Sequence, residues 1–364
     1  MTSEFESKQE RVQALLEKHK LDGLLLQRVN NFAWATCGAS ACINMAESSG
    51  EASLLITHTG RHLITNNIEV ARLVQEEKLD LDWEFHVASW HEDQQKTIDP
   101  LVRGLKLGGD GCRAGELDLS TELTHLRANL TVEEGDRFRE LGHLCAEAME
   151  AAIRAVRPGQ REHEIAACLA LESEQRGIQV TVNLVATDER VFAFRHPLPT
   201  DKRLDRYAML VLCGRKWGLV CSITRLVHFG RMPDELRRKA EAVSRVDATF
   251  IAATKPGATL GSIFLEAMQT YTREGFPEEW HLHHQGGLAG YLPREIIASP
   301  DSTILVQTGQ VFSWNPSITG VKSEDTILIK EHGNEILTAI QDWPMLEAHV
   351  DGQTFLRPAI LERD

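Results

Sequence analysis

Between residues 5 and 19 the apolar positions Val12, Leu15 and Leu16 recur at helical spacing, which predicts an amphipathic helix. Residues 21–26 form a short apolar run after a turn and predict a buried strand. Residues 53–57 and 62–65 alternate around Thr59-Gly60, where glycine tolerates a positive φ, and predict a hairpin. Residues 68–77 read as a further helix. This alternation describes a mixed α/β domain over residues 1–125. The polar stretch 120–134, ending in Glu133-Glu134-Gly135, marks the boundary, and a second domain follows over residues 135–350.

That domain opens with a long amphipathic helix, residues 136–156. Leu141, Leu144, Cys145, Met149, Ala152 and Ile153 recur at three and four, and the pattern stops at Arg157-Pro158-Gly159. The same punctuation returns at Lys255-Pro256-Gly257. Each Pro-Gly turn follows an Ala-rich helix and precedes another helix, 162–176 or 260–274, which ends at Gly177 or Gly275. A period of about 100 residues is too long for a solenoid, so the reading is two related halves of one domain.

Composition narrows the function. The 364 residues are 42% hydrophobic and 25% charged, which is globular composition, and 53 acidic against 39 basic residues leave a net charge of −14. Such a chain lacks the basic face that nucleic acid requires. The seven cysteines are scattered without a Cys-x-x-Cys pair, so neither a disulfide framework nor a thiolate zinc site is expected. No apolar run suits a membrane span, and the acidic N-terminus lacks signal-peptide character. The expectation is a cytoplasmic protein with a small-molecule substrate and neither nucleic-acid nor membrane partners.

Chemically capable residues gather in four stretches of the second domain. The first contains Arg195-His196-Pro197, an extended loop. The second is an apolar hairpin from Met209 to Arg225 that carries Ser222, Thr224 and Arg225. The third is His281-Leu-His283-His284-Gln-Gly286-Gly287, followed by Tyr291 and Arg294. On an extended segment His281 and His283 share one face and His284 the other, so one ligand or acid/base histidine is expected rather than a three-histidine site. The fourth joins Ser313-Trp-Asn315-Pro316 to Lys322-Ser323-Glu324-Asp325.

In this order the four stretches resemble the pita-bread metallopeptidases: methionine aminopeptidase, Xaa-Pro aminopeptidase (aminopeptidase P), prolidase and creatinase. The resemblance implies an α+β chain, with a creatinase-like α/β N-terminal domain and a pita-bread C-terminal domain of two pseudo-repeated halves. The family's paired metal ions use two aspartates, a histidine and two glutamates. Here the aspartate positions fall on Val211 and Ser222, and the first glutamate position falls on Asn315. His284 and Glu324 are retained, and the family's second active-site histidine becomes Tyr291. Two divalent cations need several carboxylates, so no metal and no other cofactor is expected.

His196 stands where the resemblance to creatinase implies the acid/base residue of a metal-free hydrolase. The expected catalytic set is therefore His196, His284 and Glu324, with water or Glu324 attacking a C–N carbon. Arg195, Arg225 and Arg294 are expected to hold a substrate carboxylate, with Tyr291 nearby. The resemblance further implies a homodimer in which Trp34, with Arg28 and Asn44, reaches the partner's cleft. The leading expectation is a metal-independent C–N hydrolase acting on a small carboxylated amide-like or amidine-like molecule. The alternatives are a pseudo-peptidase used as a binding module and a mononuclear metal-dependent peptidase or lyase built on His284, Glu324 and His281 or His283.

Overall fold

The first helix, Glu4–His19, begins at Ser3, whose hydroxyl accepts the Glu6 N–H while the Glu6 carboxylate accepts the Ser3 N–H. This reciprocal cap satisfies donors that a helix start leaves open. The computed structural model describes residues 3–364. It divides into two units, one ending at Glu133 and the other running from Glu134 to Asp364.

The first unit is built on a six-stranded sheet in the order Glu84–Ala88, Arg61–Asn66, Ser49–Thr57, Gly23–Arg28, Leu107–Gly109, Leu117–Asp118. Leu24, Leu25 and Leu26 are consecutive and all buried, which marks a strand covered on both faces. The hairpin forms as the alternation predicts, with Leu54 opposite Leu63. Its first strand starts earlier than the pattern suggests, at Ser49. Ile68 and Glu69 precede the short helix Val70–Gln75 rather than belonging to it. The polar stretch read as a linker contains the helix Ser120–Ala128, anchored by buried Leu123 and Ala128.

In the second unit the repeat is visible in the backbone. Gly159 has φ +88° and Gly257 has φ +87°. Gly159 N–H donates to Leu204 O, and Leu204 N–H donates back to Gln160 O. Gly257 and Val306 exchange the same pair of bonds through Ala258. The helices Glu162–Glu174 and Leu260–Arg273 follow these turns and end before Gly177 and Gly275, both at positive φ. Two Pro-Gly turns therefore make equivalent contacts in two halves, which coincidence of sequence would not produce.

Two sheets position the site. One runs Leu361–Arg363, Leu219–Phe229, Tyr207–Lys216, Gln179–Thr187. Its central hairpin turns through Trp217 and Gly218, both at positive φ, the two-residue geometry that matches strand twist. The other sheet has the order Ile296–Ile297, Gly286–Ala289, Val311–Trp314, Asp325–Ile329, Asn334–Ile336. A backbone bridge joins the sheets, with Thr224 N–H donating to Glu324 O. The second unit also continues past residue 350, where the expected domain ends, because Leu361–Arg363 pairs in parallel with Leu219–Phe229.

Candidate functional site

The hairpin supplies the floor of the site. Cys213 lies opposite Ser222, and Val211 opposite Thr224, so these side chains share one face of the sheet. Ser222 Oγ is 3.2 Å from Cys213 Sγ. Burial raises the Cys213 thiol to about 11, which keeps it protonated and unreactive.

Glu324, at the sheet junction, is buried and fully engaged. Its Oε1 accepts from Arg294 Nη2 at 2.9 Å, and its Oε2 lies 2.9 Å from Lys322 Nζ and accepts from the Thr224 hydroxyl at 2.5 Å. Burial pushes this carboxyl up, but Lys322, Arg294 and the hydroxyl outweigh it and hold the group at about 2. Arg294 also reaches Ser222 Oγ at 3.1 Å. The cluster is therefore one anion bracketed by two cations.

Three imidazoles stand beside it. His283 Nε2 is 3.0 Å from His196 Nε2, and the His283 and His284 rings stack with centroids 4.4 Å apart. Burial, then Lys322, lowers His196 and brings His283 to about 2. Burial, then Arg294 and Lys322, brings His284 to about 4. All three are neutral at pH 7, so each begins with an unprotonated ring nitrogen, and His196 becomes a cation when it takes a proton.

Several buried polar atoms gather here without a hydrogen-bond partner among the described residues: His283 Nδ1, His284 Nδ1, Arg294 Nε, Asn315 Oδ1 and Ser317 Oγ. Buried polar atoms are normally paired, so a concentration of unpaired ones marks a place built to meet a polar ligand.

The residues do not fit the paired metal ions that the resemblance implies. Val211 offers no donor atom, while Ser222 and Asn315 are neutral. Glu324, the carboxylate retained from that ligand set, already faces two cations at contact distance. His196, His283 and His284 do place ligand nitrogens within 4.8 Å of one another, a donor set suited to one zinc-class ion. Lys322 and Arg294 oppose it, since the positive potential that adds to burial in lowering these imidazoles also repels a dication.

The structure brings together His196, His284, Glu324 and Arg294 from the expected set and separates the rest. His281 is exposed on the short helix Glu279–Leu282, while His283 and His284 converge instead of facing opposite ways, because the chain bends at His283 before the strand begins at Gly286. Arg195 is spent on Glu279 and Thr319. Arg225 is buried and binds Asp325, so it is part of the core and not a substrate anchor. Tyr291 is buried, and its hydroxyl donates to Glu134 at 2.6 Å. Trp34 is fully buried inside the first unit, with its carbonyl bound by Lys8, and has no surface to offer a partner's cleft. Arg28 is likewise committed, its Nε donating to Asp110 O. Both Glu324 oxygens are engaged by cations and a hydroxyl, which lowers their nucleophilicity toward carbon. Sequence reasoning misses Lys322 as a site residue and offers His283 only as a ligand in the mononuclear-metal alternative. Lys322 lies two positions before Glu324 in an extended segment, a spacing that places both on one face and is a legible signal.

A model of the metallopeptidase family M24 matches residues 136–331, and one of the creatinase/prolidase N-terminal domain matches residues 8–137. An uncharacterized peptidase of Staphylococcus aureus is 27% identical over 239 residues, spanning 62% of this chain and 66% of that protein. A Xaa-Pro dipeptidase of Pyrococcus furiosus is 30% identical over 227 residues, spanning 58% of this chain and 64% of that protein. The match thus spans less than two thirds of the length of either relative. The solved prolidase of Pyrococcus horikoshii superposes with a TM-score of 0.79 at 20% identity, covering 92% of this chain and 99% of that one. Among the described residues no helix is long and apolar enough to cross a membrane. With the M24 model covering more than half of its length, the sheet-borne site in its second unit and a creatinase/prolidase-type domain before it, the chain belongs to metallopeptidase family M24.

Proposed function

We propose that the second unit hydrolyses a C–N bond in a small carboxylated substrate and does so without paired metal ions. The observation that carries this reading is the bracket of Lys322 and Arg294 around Glu324, which supplies positive charge through side chains where the family's ligand set would supply it through metal. With one anion against two cations, the cluster keeps an excess positive charge. A substrate carboxylate satisfies that charge, and the forked guanidinium of Arg294 favours it. The unpaired Arg294 Nε and Asn315 Oδ1 add polar recognition.

In this mechanism neutral His196 takes a proton from water as the water oxygen bonds to the substrate carbon. The proton then passes to the leaving nitrogen as the C–N bond breaks, so acid and base are one residue used twice. His283, 3.0 Å behind His196, orients the ring. Lys322 and Arg294 stabilise negative charge developing on the substrate oxygen or nitrogen. Glu324 holds these two cations in place and takes no proton. Exposed Phe194, which lines a depression together with His283 and Lys322, suits a small apolar substituent on the substrate.

The test is turnover of a panel of Xaa-Pro dipeptides and N-carboxyalkyl amides and amidines by protein dialysed against a chelator. Retained hydrolysis that His196→Ala abolishes supports the reading. Activity that appears only with two divalent ions bound per chain overturns it. Saturable binding of a carboxylated compound with no turnover of the panel replaces it with the binding-module reading.

A further inference from the structure

The first unit carries a second cluster of metal-ligating side chains that the proposed reaction does not use. His62 lies on the strand Arg61–Asn66, and Glu84 and His86 lie on the neighbouring strand Glu84–Ala88. The strands are parallel, with His62 in register with Glu84 and Ile64 with His86. Residues 84 and 86 therefore point to the same face as 62. His62 Nδ1 is 3.0 Å from His86 Nε2 and 3.2 Å from Glu84 Oε2, and His86 Nε2 is 3.7 Å from Glu84 Oε1. An ion bound tetrahedrally at about 2.0–2.1 Å holds its ligand atoms about 3.3–3.4 Å apart. One donor atom from each residue already lies within 4.8 Å of the others, close enough for small side-chain rotations to reach this spacing.

The surroundings favour a cation, unlike those of the imidazoles in the second unit. The third donor here is a carboxylate, and the adjoining surface depression also carries Asp80 and Asp82. The nearby cation, Arg61, is turned away, with its Nε donating to Asp82 O and its guanidinium over the Phe5 ring. The imidazoles are partly buried while Glu84 is 67% exposed, so the donor triangle opens toward solvent on one side.

We propose that His62, Glu84 and His86 form a mononuclear site for a borderline dication of the zinc class, with a fourth position open to water. Two imidazoles and one carboxylate are a ligand set that zinc accepts. The bound ion clamps the edge strand Glu84–Ala88 to its neighbour, so its effect is on the stability of the first unit and not on turnover.

The experiment is titration of the intact, chelator-treated chain with Zn2+ by calorimetry, and with Co2+ by visible absorption. The expected result is one ion per chain, tetrahedral Co2+ bands and a Zn2+-dependent rise in melting temperature. His62→Ala and His86→Ala each weaken binding by about tenfold or more. His283→Ala and His284→Ala leave it unchanged. Two outcomes overturn the proposal: no saturable Zn2+ binding to the wild-type chain, or binding lost in His283→Ala and kept in His62→Ala. The histidine variants change partly exposed side chains, and unaltered melting without metal shows that they fold.

Discussion

Lys322 Nζ lies 2.9 Å from Glu324 Oε2 with both side chains almost withdrawn from solvent, and Arg294 meets the other oxygen at the same distance. Breaking one partner of such a group leaves charge buried and uncompensated, at a cost of about 3–5 kcal/mol. Glu324→Gln should therefore destabilise the second unit by about that amount, read as a fall in the denaturation midpoint. Glu324→Gln combined with Lys322→Met should recover part of the loss, because the double variant no longer strands the lysine. Additive losses in the double variant would show that the two side chains do not compensate each other.

Arg225 and Arg294 look equivalent in the sequence and should behave differently on mutation. Arg225 binds Asp325 at 2.8 Å, and Arg357 binds both Asp325 and Asp247, all of them buried. Arg225→Met should cost several kcal/mol of stability and leave the KM of the surviving folded protein unchanged. Arg294→Met should raise the KM for a carboxylated substrate by about tenfold or more, the value of a charged hydrogen bond. The rise should be absent for the same substrate with its carboxylate blocked as an amide. An equal rise for both substrates would remove Arg294 from carboxylate recognition.

The unequal legibility of these arginines has a physical cause. Periodicity and punctuation report local backbone, so the long helix, the hairpin at Gly218 and the paired Pro-Gly turns are readable from the order of residues alone. The same order reveals which positions lack metal ligands, since Val211 cannot coordinate in any register. Burial of a charged residue is a non-local property. Arg225 is hidden because Asp325, a hundred positions later, neutralises it in the core. Trp34 is hidden inside the first unit, where Lys8 of the first helix lies over its ring. The strand rule that puts His283 and His284 on opposite faces holds only where the chain is a strand, and this one bends until Gly286, whose φ of +103° is open chiefly to glycine.

Acid should destabilise the second unit well above the carboxylate range. His283 titrates at about 2 in the folded chain, against the ordinary imidazole value near 6.5 in the unfolded one. Between these values the unfolded state binds more protons, so stability falls as pH falls. For His283 the loss between pH 7 and pH 5 should be about 2 kcal/mol. His284, brought to about 4, adds in the same direction. Glu324, held at about 2, has the opposite charge type but the same sign, since its contribution is complete above the ordinary carboxyl value and lost on further acidification. Denaturant midpoints measured across this range should drop in the wild type and drop less in His283→Asn. A flat wild-type profile would mean that these imidazoles are as solvated as free histidine.

The acid side of the pH–rate profile tests the role of His196 directly. Burial, then the nearby Lys322 charge, lowers this imidazole below its ordinary value, while Glu324 partly restores it. As pH falls through that lowered value the base becomes protonated and kcat/KM declines, so the acid limb should lie below pH 6.5, the ordinary imidazole range. Removing the lysine charge in Lys322→Met should let the imidazole hold its proton more tightly and move the limb to higher pH. A bound substrate carboxylate acts in the same direction, so the limb in kcat should sit above the limb in kcat/KM. His196→Ala should remove the limb together with most of the rate, a loss of about a hundredfold or more. A limb that stays in place in both variants would assign the proton transfer to another group and leave His196 a role in packing against His283.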